Sequence, residues 1–164
     1  MIHVRIASLS LDAVSDQPVI VLRPLDDEPF ANRLLPIWIG HPEATAIMLA
    51  IEGVETPRPM THDLLKGTID ALDAVVSRVE VTRVEDGTFY AAVVLRAEER
   101  GTVVDARPSD SIALAVRCGA PIFVAEEVFE QASVEIPEDM DEETEVERFR
   151  EFLDQCAPED FGEH

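Results

Sequence analysis

The sequence contains few of the residues that mark the most familiar kinds of functional site. Cysteine occurs only at Cys118 and Cys156, a spacing unlike a metal knuckle, so we expect two free thiols. There is no glycine-rich phosphate loop and no nucleophile-elbow serine, which argues against the common nucleotide-binding and acyl-transfer classes. One tryptophan and one tyrosine are too few to suggest a base-stacking platform.

Basic residues and long apolar runs are also scarce. Thirteen lysines and arginines stand against 34 acids, for a net charge of −21. This balance argues against coating duplex DNA with a broad basic face, because such binding depends on phosphate neutralisation, but it leaves room for a small cationic site. No apolar stretch approaches the roughly 18 residues of a membrane span, and the N-terminus alternates like a strand. We therefore expect a cytoplasmic protein that does not contact a membrane.

The acidic residues are concentrated toward the C-terminus. Residues 126–164 contain 16 acids but only two bases, Arg148 and Arg150. We predict one folded domain over residues 1–132 and an acidic extension over residues 133–164, partly helical or disordered, in which residues 142–153 form a candidate helix. A chain of 164 residues with 46% hydrophobic content is long enough to bury one substantial core.

Hydrophobic periodicity predicts an α+β fold with hairpins, a meander, mainly antiparallel or mixed sheets, about three core helices and an acidic tail. Strands are predicted at residues 2–11, 18–23, 34–39, 79–84, 89–95, 102–105 and 121–124. Helices are predicted from Pro42, from a Thr61 N-cap and from Pro108, with a short helix over residues 126–132. The predicted buried stripes are Ala44, Ile47, Met48 and Ile51 on the first helix, and Leu65, Ile69, Leu72 and Val76 on the second.

An Arg-Pro pair stands at or just before the start of two predicted helices, at residues 107–108 and 58–59. Pro108 suits the first helical position, because its missing N–H needs no partner there. The positive charge of Arg107 is unfavourable at the positive end of the helix dipole unless an anion lies nearby. That anion can be an internal carboxylate or a ligand such as phosphate. We therefore predict that Arg58 and Arg107 lie close together in space.

Eight reactive side chains lie at the starts of the three predicted helices: Glu43, Arg58, His62, Asp63, Asp105, Arg107, Ser109 and Asp110. If they converge, they suit phosphate chemistry. His62, Asp63, Asp105 and Asp110 are then the catalytic candidates, Arg58, Arg107 and Ser109 the substrate-binding candidates, and Glu43, Asp105 and Asp110 the candidate ligands of a divalent metal such as Mg²⁺. A structural alternative explains the same residues, since first-turn acids stabilise helix starts and arginines pair with them.

Several segments resemble the bifunctional nuclease domain family. They include Leu-Pro-Ile-Trp-Ile-Gly at residues 35–40, Pro-Arg-Pro-Met-Thr-His-Asp at 57–63, Phe-Tyr-Ala at 89–91 and Asp-Ala-Arg-Pro-Ser-Asp at 105–110. The resemblance covers about residues 1–130 and leaves the acidic segment outside. It implies an α+β domain found in bacteria and plants, with plant members described as acting on both RNA and DNA. The family pattern shows that the eight residues belong together without assigning their roles.

Two hypotheses follow from the sequence. The first is a nuclease that hydrolyses phosphodiester bonds in RNA or DNA, with short or single-stranded substrates. The second is a non-catalytic module that binds small anions or forms a homo-oligomer contact. The nuclease hypothesis requires the reactive side chains to share an open cleft, whereas the module hypothesis expects them to be buried and mutually paired.

Overall fold

Eight strands and four helices make up the part of the chain that the computed structural model describes, which is residues 1–25, 29–136, 147 and 151. The strands are β1 (Ile2–Leu11), β2 (Pro18–Pro24), β3 (Arg33–Trp38), β4 (Val75–Glu85), β5 (Thr88–Ala97), β6 (Arg100–Ala106), β7 (Ile122–Val124) and β8 (Val134–Glu135). The helices are α1 (His41–Ile51), α2 (Thr61–Ala71), α3 (Pro108–Cys118) and α4 (Glu126–Ala132). The predicted helix at 142–153 lies outside the described residues, apart from positions 147 and 151.

The strands form one mixed sheet in the order β6-β5-β4-β7-β1-β2-β3-β8. Two antiparallel groups, β1-β2-β3 and β4-β5-β6, meet at β7, which pairs antiparallel with β1 and parallel with β4. The β4–β5 turn at Asp86 and Gly87 has positive φ at both residues, 50° and 76°, as a two-residue type I′ hairpin requires. The predicted α+β class with hairpins and a meander is confirmed.

The strand β2 is buried on both faces. Val19 and Val21 contact Leu34 in a small cluster, while Ile20 and Leu22 belong to the main core. This division follows from the alternation of side chains along a strand. It also explains why β2 reads as an uninterrupted apolar run rather than as an alternating one.

The helix α3 is central to the main core. Its residues Ile112, Ala113, Leu114 and Ala115 are almost fully buried, and it packs against α1, α2, β4 and β5. Pro108 occupies the first helical position and Arg107 the N-cap, as predicted. The position of α3 therefore brings its N-terminal turn next to the two preceding helices.

The predicted extent of the second helix is wrong. The helix α2 begins at Thr61, so Met60 rather than Thr61 is its N-cap, and it ends at Ala71. Asp73 then adopts φ +56°, which no right-handed helix can continue, and Val76 lies in β4, where it pairs with Leu95 of β5. β-branched residues at 75 and 76 favour this strand.

The predicted apolar stripes are only partly buried. In α2, Ile69 is buried, whereas Leu72, just after the helix, is 72% exposed. In α1, Ile47 is buried while Met48 and Ile51 are exposed. Helical spacing shows which side chains share a face, but burial depends on the neighbours that the fold supplies. Among the described residues, no helix is long and apolar enough to span a membrane.

The strand β8 lies just beyond the predicted domain boundary at residue 132, which stays a prediction. It pairs with β3 through Arg33 and Leu34. Val134 and Ile136 pack against the small cluster on the outer face of β2. Residues 133–136 therefore contribute both hydrogen bonds and apolar contacts to the sheet.

Candidate functional site

Arg107 connects α3 to α1. Its Nε donates to Asp110 Oδ2 at 2.8 Å, and its Nη2 donates to Glu43 Oε1 at 2.8 Å. Asp110 lies in the first turn of α3 and Glu43 in the first turn of α1. These two carboxylates are the internal anions that the helix-start argument required, and their hydrogen bonds raise the pKa of Arg107.

Asp110 also binds His62. Asp110 Oδ1 lies 2.8 Å from His62 Nε2, so the two carboxylate oxygens have different partners. Burial raises the pKa of Asp110, but the hydrogen bonds from His62 and Arg107 outweigh it and hold that pKa below its ordinary value. An ionised carboxylate can only accept hydrogen bonds, so Nε2 of His62 carries a proton. In the neutral ring, Nδ1 is then the nitrogen that can accept a proton.

Asp63 accepts two hydrogen bonds that stabilise the start of α2. Its Oδ1 accepts from Arg117 Nε at 2.7 Å, and its Oδ2 accepts from the Met60 backbone N–H at 2.9 Å. The hydrogen bond from Arg117, followed by that from Met60, lowers the pKa of Asp63. Asp63 therefore caps the start of α2 and fixes the turn that carries His62.

Arg117 is a contributor that the sequence analysis missed. Its side chain is only 8% exposed, and its Nη1 also donates to the Ala113 carbonyl. A single basic residue in the last turn of an otherwise apolar helix is a recognisable signal, because a cation is favourable at that end of the dipole. Its partner in α2 is set only by the packing of the two helices.

An open cleft of about 770 Å³ lies against this network. Four ionisable side chains line it: Glu43, His62, Arg107 and Asp110. The remaining lining is mostly apolar and comes from α1, α2 and the residue before α2, including Ala46, Leu49, Met60, Leu64 and Leu65. The cleft combines a charged group of side chains with apolar surface, as ligand-binding pockets commonly do.

Four predicted site residues, Arg58, Asp63, Asp105 and Ser109, do not line this cleft. Arg58 is exposed, forms no ion pair with any residue in 1–25 or 29–136, and is not part of the cleft lining. Ser109 is buried and also does not line the cleft. The start of α2 does reach the cleft through His62, so the two Arg-Pro helix starts meet there without Arg58 itself.

Asp105 lies on the other face of the sheet. Its neighbour on β6, Ala106, packs against the helix-covered core. Asp105 itself pairs with Ala92 on β5, and neither of these two residues belongs to that core cluster. Successive side chains of a strand point to opposite faces, so Asp105 faces away from α3. The expectation that Asp105 joins Asp110 at one site is therefore corrected by the alternation of β6.

The predicted metal ligands do not form a site in the described part of the chain. No group of three or more His, Cys, Asp and Glu side chains within residues 1–25 and 29–136 is placed to hold a metal ion. Glu43 and Asp110 both bind Arg107, whereas Asp105 is on the far face of the sheet. The involvement of Mg²⁺ therefore stays a prediction.

The fold and the site together define an α+β domain with a His–Asp–Arg network on a cleft beside two helices. The chain belongs to the bifunctional nuclease domain family, whose sequence profile matches residues 20–137. This confirms the resemblance seen in the Arg-Pro segments.

Similar proteins occur in bacteria and plants. The chain is 45% identical to an uncharacterized protein of Mycobacterium tuberculosis, over 97% of each chain. It is 33% identical to bifunctional nuclease 2 of Oryza sativa subsp. japonica, over 66% of this chain and 33% of that protein. It is 34% identical to bifunctional nuclease 2 of Arabidopsis thaliana, over 56% of this chain and 29% of that protein. The chain thus spans about a third of the length of these plant relatives.

Proposed function

We propose that this protein is a cytoplasmic nuclease that hydrolyses phosphodiester bonds in RNA or DNA at the cleft beside α1 and α2. The observation that supports this most is the shared position of His62, Asp110 and Arg107 on one open cleft. The family membership and the plant relatives named as bifunctional nucleases support the same reaction.

Arg107 is the proposed phosphate ligand. Its side chain is 64% exposed, and its two ion pairs use Nε and Nη2, which leaves Nη1 for a phosphate oxygen. A guanidinium suits this role because several N–H donors can contact one phosphate at once. Glu43 and Asp110 hold the group in place, but they also offset its charge, so we expect modest affinity for a lone phosphate.

His62 is the proposed proton-transfer group. It accepts a proton at Nδ1 from the attacking water as the water oxygen forms its bond to phosphorus and the ester P–O bond breaks, and the leaving oxygen takes up a proton from solvent. Asp110 orients the ring through Nε2 and stabilises the imidazolium that forms. A His–Asp pair of this kind fixes the tautomer of the base.

The cleft suits a short or single-stranded substrate. Its volume of about 770 Å³ is of the size that holds one small ligand. Apolar side chains such as Leu49 and Leu64 offer surface against a base or sugar. The chain's net charge of −21 opposes extended contact with a duplex backbone.

The test is cleavage of end-labelled single-stranded RNA and DNA oligonucleotides by proteins purified in parallel. We expect His62→Ala and Asp110→Asn to lose most of the activity while remaining folded. Asp105→Asn is the matched comparison, because it makes the same chemical change on the opposite face of the sheet and should keep nearly the wild-type rate. A chelator arm tests the involvement of a divalent ion separately.

The second candidate function is a non-catalytic module that binds small anions or contacts another copy of the chain. It is favoured by the pairing of Arg107 with both Glu43 and Asp110, which is also what a structural clamp between helices would show. Equal slow cleavage by the wild type and His62→Ala would support this candidate over the nuclease.

A further inference from the structure

Gly40 stands immediately before α1 and beside the Glu43 carboxylate. A Cβ atom added at Gly40 would overlap Oε2 of Glu43 and lie 3.3 Å from its Cδ. The backbone of Gly40 has φ −73° and ψ 153°, an extended conformation that any residue adopts. Glycine is therefore needed here for space and not for backbone freedom.

We propose that Gly40 is a positioning residue for the cleft: its missing side chain lets the Glu43 carboxylate lie back over the start of α1, where it holds Arg107. Two observations on Glu43 carry this. Its Oε1 accepts the 2.8 Å hydrogen bond from Arg107 Nη2, and its Oε2 occupies the space that a side chain at position 40 would take.

An alanine at position 40 should alter the site more than the fold. The atom in its way is the end of a flexible side chain, so the backbone of α1 has no need to move. Glu43 is only 15% exposed, however, and we expect a shift of its carboxylate to weaken its bond to Arg107. Arg107 would then keep Asp110 as its single anchor, and its guanidinium would sample more positions at the cleft.

The structural part of the proposal can be tested without any enzymatic activity. Phenylglyoxal modifies arginine side chains, and peptide mass spectrometry reports the rate at each position. We expect Gly40→Ala to raise the rate at Arg107 by about two- to fivefold, the size expected for loss of one partly exposed ion pair. Glu43→Ala should give the same increase, and the double variant should show no further increase, because both changes remove the same contact.

Two internal comparisons make this test specific. Arg58 is exposed without an ion pair in the described part of the chain, so its rate should stay constant across the variants. Gly67→Ala makes the same substitution inside α2, where an added Cβ meets no atom within 4 Å, and should leave Arg107 unchanged. If Gly40→Ala leaves the Arg107 rate at the wild-type value while Glu43→Ala raises it, the proposal is wrong.

The catalytic part rests on the proposed nuclease function. There, Gly40→Ala should lower kcat/KM by about tenfold, since small misplacements of a catalytic group are costly, and should have no added effect in the Glu43→Ala background. Far-UV circular dichroism and a urea midpoint within error of wild type would show that the fold is intact. If labelling responds but cleavage does not, Gly40 positions Arg107 without a catalytic consequence, and that half of the proposal is refuted. If the wild type itself does not cleave, the nuclease function fails while the labelling result still decides the role of Gly40.

Discussion

Asp110→Asn is the substitution that tests the site most directly, because each oxygen of Asp110 has a different partner. His62 Nε2 donates to Oδ1 and Arg107 Nε donates to Oδ2, both at 2.8 Å. Asparagine has nearly the same size as aspartate, but it replaces one acceptor oxygen by an NH₂ group. That NH₂ group then faces the N–H donor of either His62 or Arg107. Hydrogen bonds to charged groups contribute about 1.5–3 kcal/mol each, and Asp110 is 30% exposed, so we expect a loss of about 2 kcal/mol in the free energy of unfolding.

The effect on catalysis should be larger than the effect on stability. If the new NH₂ group faces His62, the ring must present an unprotonated Nε2 to it, and the proton moves to Nδ1. The nitrogen proposed to accept a proton in the reaction is then blocked. We expect kcat to fall by about 10²- to 10⁴-fold, the range typical of lost general acid–base catalysis.

The stability difference between wild type and Asp110→Asn should depend on pH in a defined direction. The pKa of Asp110 is held below its ordinary value of 3.8 in the folded protein. A lowered folded pKa means that the ionised group contributes stability above the unfolded pKa, and that this contribution is lost as the pH falls through the folded pKa. The gap of about 2 kcal/mol should therefore be present at pH 7 and should narrow below about pH 4.

Urea denaturation followed by circular dichroism at pH 7, 5 and 3 measures this gap, and oligonucleotide cleavage at pH 7 measures the rate. Asp105→Asn is the control for a change in formal charge alone. A variant with unchanged stability at pH 7 would mean that Asp110 does not make both bonds in solution. If Asp105→Asn remains folded but loses as much activity as Asp110→Asn, the site does not lie on the helix-covered face of the sheet.

Three further experiments test the roles of His62, of the two arginines and of β8. His62→Ala should lower kcat by about 10²- to 10⁴-fold with little change in KM, measured by steady-state cleavage; a rise in KM alone would assign His62 to binding instead. Arg107→Ala should weaken oligonucleotide binding in a fluorescence titration, while Arg58→Ala, outside the cleft, should weaken it much less; the opposite order would move the phosphate site. A chain ending at residue 136 should keep the wild-type urea midpoint. One ending at 132 should unfold at a lower urea concentration, because it loses β8 and its apolar contacts. Equal midpoints for the two chains would show that β8 does not stabilise the fold.

Local sequence determined much of the secondary structure. Asp86 and Gly87 form the β4–β5 hairpin turn because both residues tolerate the positive φ that a type I′ turn needs. Pro108 predicted the start of α3 because its fixed φ and missing N–H fit the first helical position. Both features are decided by interactions that lie within a few residues.

Burial was less predictable than secondary structure. Helical spacing placed Met48 and Ile51 on the same stripe as Ile47, yet only Ile47 is buried. The end of α2 was also misplaced, because Val76 continues the apolar spacing of the helix but finds its partner Leu95 in β5. Both outcomes depend on which surfaces the rest of the fold brings alongside, and periodicity contains no information about that.

The candidate site was likewise only partly predictable from the sequence. The sequence alone showed that Arg107, at a helix start, needs an anion, since the helix dipole disfavours a cation there. Only the tertiary structure decided that Glu43, 64 residues earlier, supplies one of the two carboxylates, and that His62 reaches Asp110 across two packed helices. The pleat of β6 excluded Asp105, although it is five residues from Asp110, because side-chain direction in a strand outweighs nearness along the chain.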